Sequence, residues 1–169
     1  MIMNEATIPQ KRDKSLVPLS REHHFGLLFC WKLRQGLKNG ADLQVMRSYV
    51  NYFWNNILKV HCEEEEWMLN RLLPKEDPMQ LQLKEEHRLL KAMIDLIAEG
   101  SPMNKGLFKV LQQDLVNHIR WEERQLFPYL QAVVNSNELE TAGKLLEHRH
   151  AVQHDTFTPE FWAHSVNRV

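Results

Sequence analysis

One phrase occurs twice in this chain. His61-Cys62-Glu63-Glu64-Glu65 and His118-Ile119-Arg120-Trp121-Glu122 both read H-x-x-x-E, and a leucine follows each four residues later, Leu69 and Leu126. At that spacing on a helix, a histidine and a glutamate stand one turn apart on one face, where an imidazole nitrogen and a carboxylate oxygen can converge on one cation. On a helical wheel centred on His61, the residues Val50, Trp54, Ile57, Leu58, Glu65, Met68, Leu69 and Leu72 share its side. Around His118 the matching places, at a constant offset, are taken by Leu107, Leu111, Leu115, Glu122, Leu126 and Tyr129. Two positions differ in type, with Asp114 in place of Ile57 and Gln125 in place of Met68. A carboxylate on an apolar stripe is costly to bury unless something pairs with it.

The elements that carry these residues are helical. Apolar residues recur at three and four through nearly every long segment, and glycine is scarce, with six in the chain. Helix one is expected from Ser20, as N-cap, to about Lys38, where Asn39-Gly40 stops it. Helix two is expected from about Asp42 to Leu73, before Pro74, and helix three from about Pro78 to Glu99, with Gly100 just past its end. Helix four follows Ser101-Pro102 and continues to about Val134, with Pro128 as a kink or an early end. A shorter fifth helix is expected from Asn137 to about Gln153. The short links argue for an all-α, up-down four-helix bundle over 19–134, after a lead-in over 1–18 and before a C-terminal helix and tail over 135–169. Another all-α packing is the alternative.

Bulk properties narrow the function. The chain has 169 residues, enough for one domain, and its 25% charged and 43% hydrophobic residues suit a soluble globular protein. A net charge of −1 leaves no basic field to attract nucleic acid or an anionic membrane. The stretch MIMNEATIPQKRDKS has no apolar run of signal-peptide length, and no segment approaches a membrane span. The expectation is a cytoplasmic protein in which Cys30 and Cys62, both within helical patterns, are reduced thiols.

The partner helices complete the constellation. In helix three, Leu83, His87, Leu90, Met93, Ile94 and Ile97 share a face; in helix one, Leu19, His23, Gly26, Phe29, Cys30, Leu33 and Leu37 do. A lone inward histidine is ordinarily a satisfied core residue, and one H-x-x-x-E is ordinarily a solvated face. Four helices with one histidine each, in matched register with two repeated carboxylates, point instead to metal. No thiolate set is present, and six N and O ligands are too many for one tetrahedral ion. They suit two ions, with each glutamate bridging and two histidines per ion. Iron matches best and manganese second, with positions left open for water, oxo, O₂ or NO.

The chain resembles a hemerythrin-like protein of the HHE cation-binding class. The likeness is carried by Glu22-His23, the phrase His61–Glu65, Glu86-His87 and His118-Ile-Arg-Trp-Glu122-Glu-Arg-Gln-Leu-Phe-Pro128, and it covers about residues 19–130. It implies an oxo- or hydroxo-bridged di-iron centre inside a four-helix bundle. The chain departs from the oxygen-carrying members in two places. Their second histidine, four residues after the one in helix three, is Lys91 here, and their aspartate, five residues after the helix-four histidine, is Glu123. Glu122, on the His118 face, is the chosen ligand. The pattern is closer to the members with four histidines and two glutamates, which the family links to iron–sulfur repair, nitric-oxide chemistry, or sensing of iron and oxygen.

The proposed ligands are therefore His23, His61, Glu65, His87, His118 and Glu122. His24, about 100° away from His23 on a face with Leu27, Leu28 and Trp31, is the second choice for helix one. Asp114, one turn before His118, is either an acceptor for the free ring N–H of a ligating histidine or an exposed aspartate. His148, His150, His154 and His164 read as surface histidines, and Trp54, Trp67 and Trp121 as packing. The aromatic tail, with Phe157, Phe161 and Trp162, docks on its own bundle or on a second copy in a homodimer. The leading function is a non-haem di-iron protein that binds or reacts with a small diatomic ligand, O₂ or NO, in stress response or sensing. Its rivals are an iron donor for iron–sulfur repair, an interaction module with a closed structural metal, and a ferritin-type oxidase. The last is disfavoured because its family pattern prefers E-x-x-H. No protein nucleophile or Gly-rich phosphate loop is visible, so the sequence assigns no enzymatic reaction.

Overall fold

A computed structural model describes residues 11–100, 104–149 and 154–163, and among them the protein is all helix and loop, with no strand. The first helix, α1 (Val17–Lys38), follows a single 3₁₀ turn, Lys14–Leu16, whose N-cap Asp13 accepts from the Ser15 N–H. It begins earlier than the Ser20 cap implies. Pro18 lies in its first turn, where a missing N–H has no helical partner to lose. The second helix, α2, is one rod in three parts: Leu43–Phe53, a π-helical turn Trp54–Leu58, and Lys59–Leu72. Asp42 caps its start by accepting from the Gln44 N–H. Helix α3 (Pro78–Glu99) starts on Asp77, which accepts from Met79 and Gln80, and ends at Gly100 in the left-handed region, φ 74°.

Helix α4 is also continuous: Lys105–Trp121, a π-helical turn Glu122–Leu126, and Phe127–Val133. Pro128 neither ends nor interrupts it. Proline has no N–H to donate, and the carbonyl of Glu123, five residues earlier, accepts instead from the Arg12 guanidinium at 2.6 Å. Helix α5 (Ser136–Arg149) packs on the 3₁₀ turn and on the last part of α2. Its expected end near Gln153 lies outside the described residues.

The four long helices close a bundle in which α1 packs against α2 and α4, and α3 against α2 and α4. Two apolar clusters fill it. One gathers Phe29, Leu33, Tyr49, Phe53, Leu111 and Leu115; the other gathers Leu19, Met68, Leu83, Leu126, Phe127 and Leu130. Each helix passes from one cluster to the other across its candidate ligands, so those side chains occupy the polar layer between two dry ones. Residues 154–163 form a strap across α1 and α2. Asp155 accepts from Lys32 Nζ at 2.8 Å and from the Tyr49 hydroxyl at 2.5 Å, while Lys32 lies 3.8 Å over the Trp162 ring. The aromatic tail thus docks on its own bundle. None of the described helices is long and apolar enough to cross a membrane.

Candidate metal centre

All six chosen side chains meet on the bundle axis. His23, His61, His87 and His118 are buried, and Glu65 and Glu122 are wholly so. Their polar ends fall into two groups, His23–His61–Glu65–Glu122 and His87–His118–Glu65–Glu122. Within each group one ligand atom per residue lies within 4.8 Å of all the others. Both glutamates belong to both groups.

The two oxygens of each carboxylate divide between the groups. Glu65 Oε1 is 3.2 Å from His61 Nε2 and 3.5 Å from His23 Nε2, while its Oε2 is 3.4 Å from His87 Nε2. Glu122 reverses the order: Oε2 is 3.0 Å from His23 Nε2, and Oε1 is 3.0 Å from His118 Nε2 and 3.9 Å from His87 Nε2. A carboxylate whose oxygens face opposite histidine pairs has the arrangement of a bridge between two ions.

The outer nitrogens are all engaged. Nδ1 of His23, His61, His87 and His118 meets a carboxylate oxygen of Glu123, Glu22, Glu66 and Glu86, at 2.7, 2.7, 2.9 and 2.7 Å respectively. An ionised carboxylate can only accept, so each Nδ1–H donates. That tautomer leaves Nε2 as a bare acceptor facing inward. Nε2 of His23, His87 and His118 and all four oxygens of Glu65 and Glu122 are then buried acceptors with no hydrogen-bond partner. Such a gathering is unfavourable unless cations fill it, and its nitrogen and oxygen donors suit a borderline divalent metal. The residues present therefore fit a dinuclear centre.

The same field acts on protons. Burial works against the charged form of every histidine here, but the carboxylates outweigh it. Glu122, Glu123 and Glu65 push His23 up to about 12. Glu65 and Glu22 push His61 up to about 10, and Glu122 and Glu86 push His118 up to about 9. His87 is raised as well, with the Cys62 thiol beside it and Glu65 and Glu66 contributing. Glu65 is held well below the usual carboxylate range, the surrounding imidazoles outweighing its burial. Without metal, protons would take the place of the cations.

The remaining expectations divide. His24 is exposed, and helix α1 turns His23 inward instead. Asp114 is exposed and is not the acceptor for His118; the helix carries its carboxylate to the surface, and Glu86 from α3 takes the ring N–H. Lys91 pairs with Asp95 and takes no part in the centre. Cys30 and Cys62 are free, buried thiols. His148 and His154 are exposed, while His150 and His164 lie outside the described residues. The helical pattern alone assigns no role to the four outer glutamates. Their signal was adjacency, since each stands next to an inward ligand: Glu22-His23, Glu65-Glu66, Glu86-His87 and Glu122-Glu123.

The aromatic rings pack the ligands in place. Phe127 stacks on His23 with centroids 5.6 Å apart, and Trp121 stacks on His118 at 6.3 Å. Comparison with known proteins agrees with the geometry. A family model described as the Hemerythrin HHE cation binding domain matches residues 19–130, a span that includes all six inward ligands. No curated protein and no solved structure matches the chain.

Proposed function

The chain belongs to the hemerythrin HHE cation-binding family, and from that premise we propose that its centre holds two iron ions and binds a small diatomic ligand, O₂ or NO, in a sensing or stress-response role. The observation that carries this reading is the division of the Glu65 and Glu122 oxygens between two histidine pairs. Each ion would receive two imidazoles and one oxygen from each glutamate. Iron favours that N and O set and would keep coordination positions for an outside ligand. Bound there, iron supplies reversible ligand binding or one-electron exchange.

The surroundings favour a small apolar visitor. An interior cavity against Glu22, His23, His61 and His118 is otherwise walled by Gly26, Phe53, Ile57, Leu58, Leu115 and Ile119. Apart from Glu22 and the histidines the wall is apolar, which suits O₂ and NO better than a hydrated or charged substrate. Iron analysis and a visible spectrum of protein made in iron-rich medium test the proposal, followed by anaerobic addition of NO and aerobic addition of azide. Two irons per chain with new absorption bands on both additions are expected. A metal-loaded protein whose spectrum ignores both ligands would mean a closed, structural site.

A second reading, an iron donor, is favoured by one feature. A cleft of about 370 Å³ bounded by Gln82, Glu86, Asp114, Asn117 and Trp121 reaches His118 from the surface. Leu89 and Leu90 line it too, and the carboxylates of Glu86 and Asp114 would mark a route outward for iron. Anaerobic transfer of iron to an apo iron–sulfur protein separates this role from sensing.

A further inference from the structure

The four outer carboxylates have an order. Glu22 on α1 serves His61 on α2, Glu66 on α2 serves His87 on α3, Glu86 on α3 serves His118 on α4, and Glu123 on α4 serves His23 on α1. Every helix gives one carboxylate to the next helix's imidazole, and the fourth returns to the first. We propose that Glu22, Glu66, Glu86 and Glu123 are positioning residues that form a closed ring around the centre and govern its two metal positions as separate halves. The inference rests on the dinuclear reading above.

The division into halves follows from the partners. Glu22 and Glu123 hold His61 and His23, which belong to one ligand group; Glu66 and Glu86 hold His87 and His118, which belong to the other. No outer carboxylate serves both. Each acts through its imidazole in two ways. It fixes the tautomer that bares Nε2, and its charge raises the ring's basicity toward a cation. Remove it and a buried Nδ1–H loses its acceptor, and the ring is free to present N–H to the metal.

The halves are also supported differently. Glu123 is itself held by Arg12 at 2.6 Å, and Glu22 is only 12% exposed. Glu123, Glu66 and Glu86 are similarly exposed, at 31%, 36% and 28%, but where Glu123 has the Arg12 cation, Glu86 has the neutral amide of Gln82 at 2.7 Å. The ring also explains why the carboxylates adjoin ligands in the sequence. A residue beside an inward ligand points about 100° round the helix, toward the neighbouring helix and its imidazole.

Anaerobic Fe(II) titration against a competing chelator tests this, in the full chain and in Glu22→Ala, Glu123→Ala, Glu66→Ala and Glu86→Ala. Wild type should bind two irons. Each alanine variant should weaken one of the two binding steps about 10- to 100-fold and leave the other near its original value. Glutamine at the same position still accepts the Nδ1–H bond and should recover most of the loss. In Co(II)-loaded protein, NMR should show exchangeable, paramagnetically shifted imidazole N–H signals, and each alanine variant should lose its own. Where an alanine variant fails to fold, the glutamine variant decides, because its N–H signal must shift while those of the opposite half stay. Unchanged affinity and unchanged N–H signals in all four positions would overturn the ring's role, and equal weakening of both steps would overturn the separate halves. Fewer than two irons in wild type would instead overturn the dinuclear reading beneath it.

Discussion

His23 and His24 are neighbours with opposite fates. The apolar stripe of α1 runs through His23, which reaches the centre, while His24 faces solvent. His23→Ala should cut iron to one per chain or less, and His24→Ala should keep both, read by metal analysis. This assignment was legible because the stripe averages over many residues, so one histidine could be told from the next. The outer glutamates were not legible in that way. A glutamate 100° from the core face looks like any solvated charge until the neighbouring helix is in place, and Asp114 was nominated for a role that Glu86 fills. Protonation belongs to this scale as well. In metal-free protein, His118, His61 and His23 are raised to about 9, 10 and 12. Their stabilisation is complete below the unfolded value of 6.5 and is lost as pH climbs through those raised values. Glu65 is depressed below 4.5, so its share is present above that value and lost as pH falls through the depressed one. The metal-free fold should therefore gain nothing from alkaline pH. Metal must displace these protons, so the rise in Tm on adding Fe(II) anaerobically should grow between about pH 6 and about pH 9. A rise that shrinks over this range would contradict the assignment.

Helices α2 and α4 each contain one π-helical turn, and these turns account for the core residues misplaced by a regular wheel. One extra residue per turn rotates everything beyond it by about 100°. The wheel put Trp54, the first residue of Trp54–Leu58, on the core face, yet it is only partly buried, while Tyr49 and Phe53, which the wheel left out, are fully buried. Downstream of Glu122–Leu126, the wheel favoured Tyr129, while Phe127 and Leu130 fill the core. Beyond the turn in α2, and before the turn in α4 opens at Glu122, the helices are regular, and His61, Glu65, His118 and Glu122 are all buried. Close packing of α1 on α4 sets the remaining geometry. A Cβ on Gly26 would stand 2.8 Å from Ile119 Cδ1, the free end of a side chain that can turn away. Gly26→Ala should therefore be tolerated. Gly26→Leu should force the helices apart, lower stability by about 1–3 kcal/mol and weaken iron binding, as followed by thermal melting and titration.

Across the whole molecule, the centre and the strap are independent supports. Lys32 and Asp155 are nearly buried and joined at 2.8 Å, and Tyr49 donates to the same carboxylate. Lys32 is nine residues beyond His23 on α1, about 14 Å along the axis. Asp155→Ala leaves a buried ammonium without its counter-charge and should cost about 3–5 kcal/mol, while iron stays at two per chain. Loss of iron in a folded Asp155→Ala protein would tie the strap to the centre. The strap had no period to read; its docking depends on Gly36, where a Cβ would lie 2.6 Å from the Phe161 ring. The central claim concerns the axis, where two shared glutamates lie between two histidine pairs. Anomalous X-ray scattering at the iron edge, from crystals of iron-loaded protein, addresses it directly. Two peaks are predicted, both between Glu65 and Glu122, one beside His23 and His61 and the other beside His87 and His118. A single peak, or iron bound anywhere else on the chain, would contradict the account.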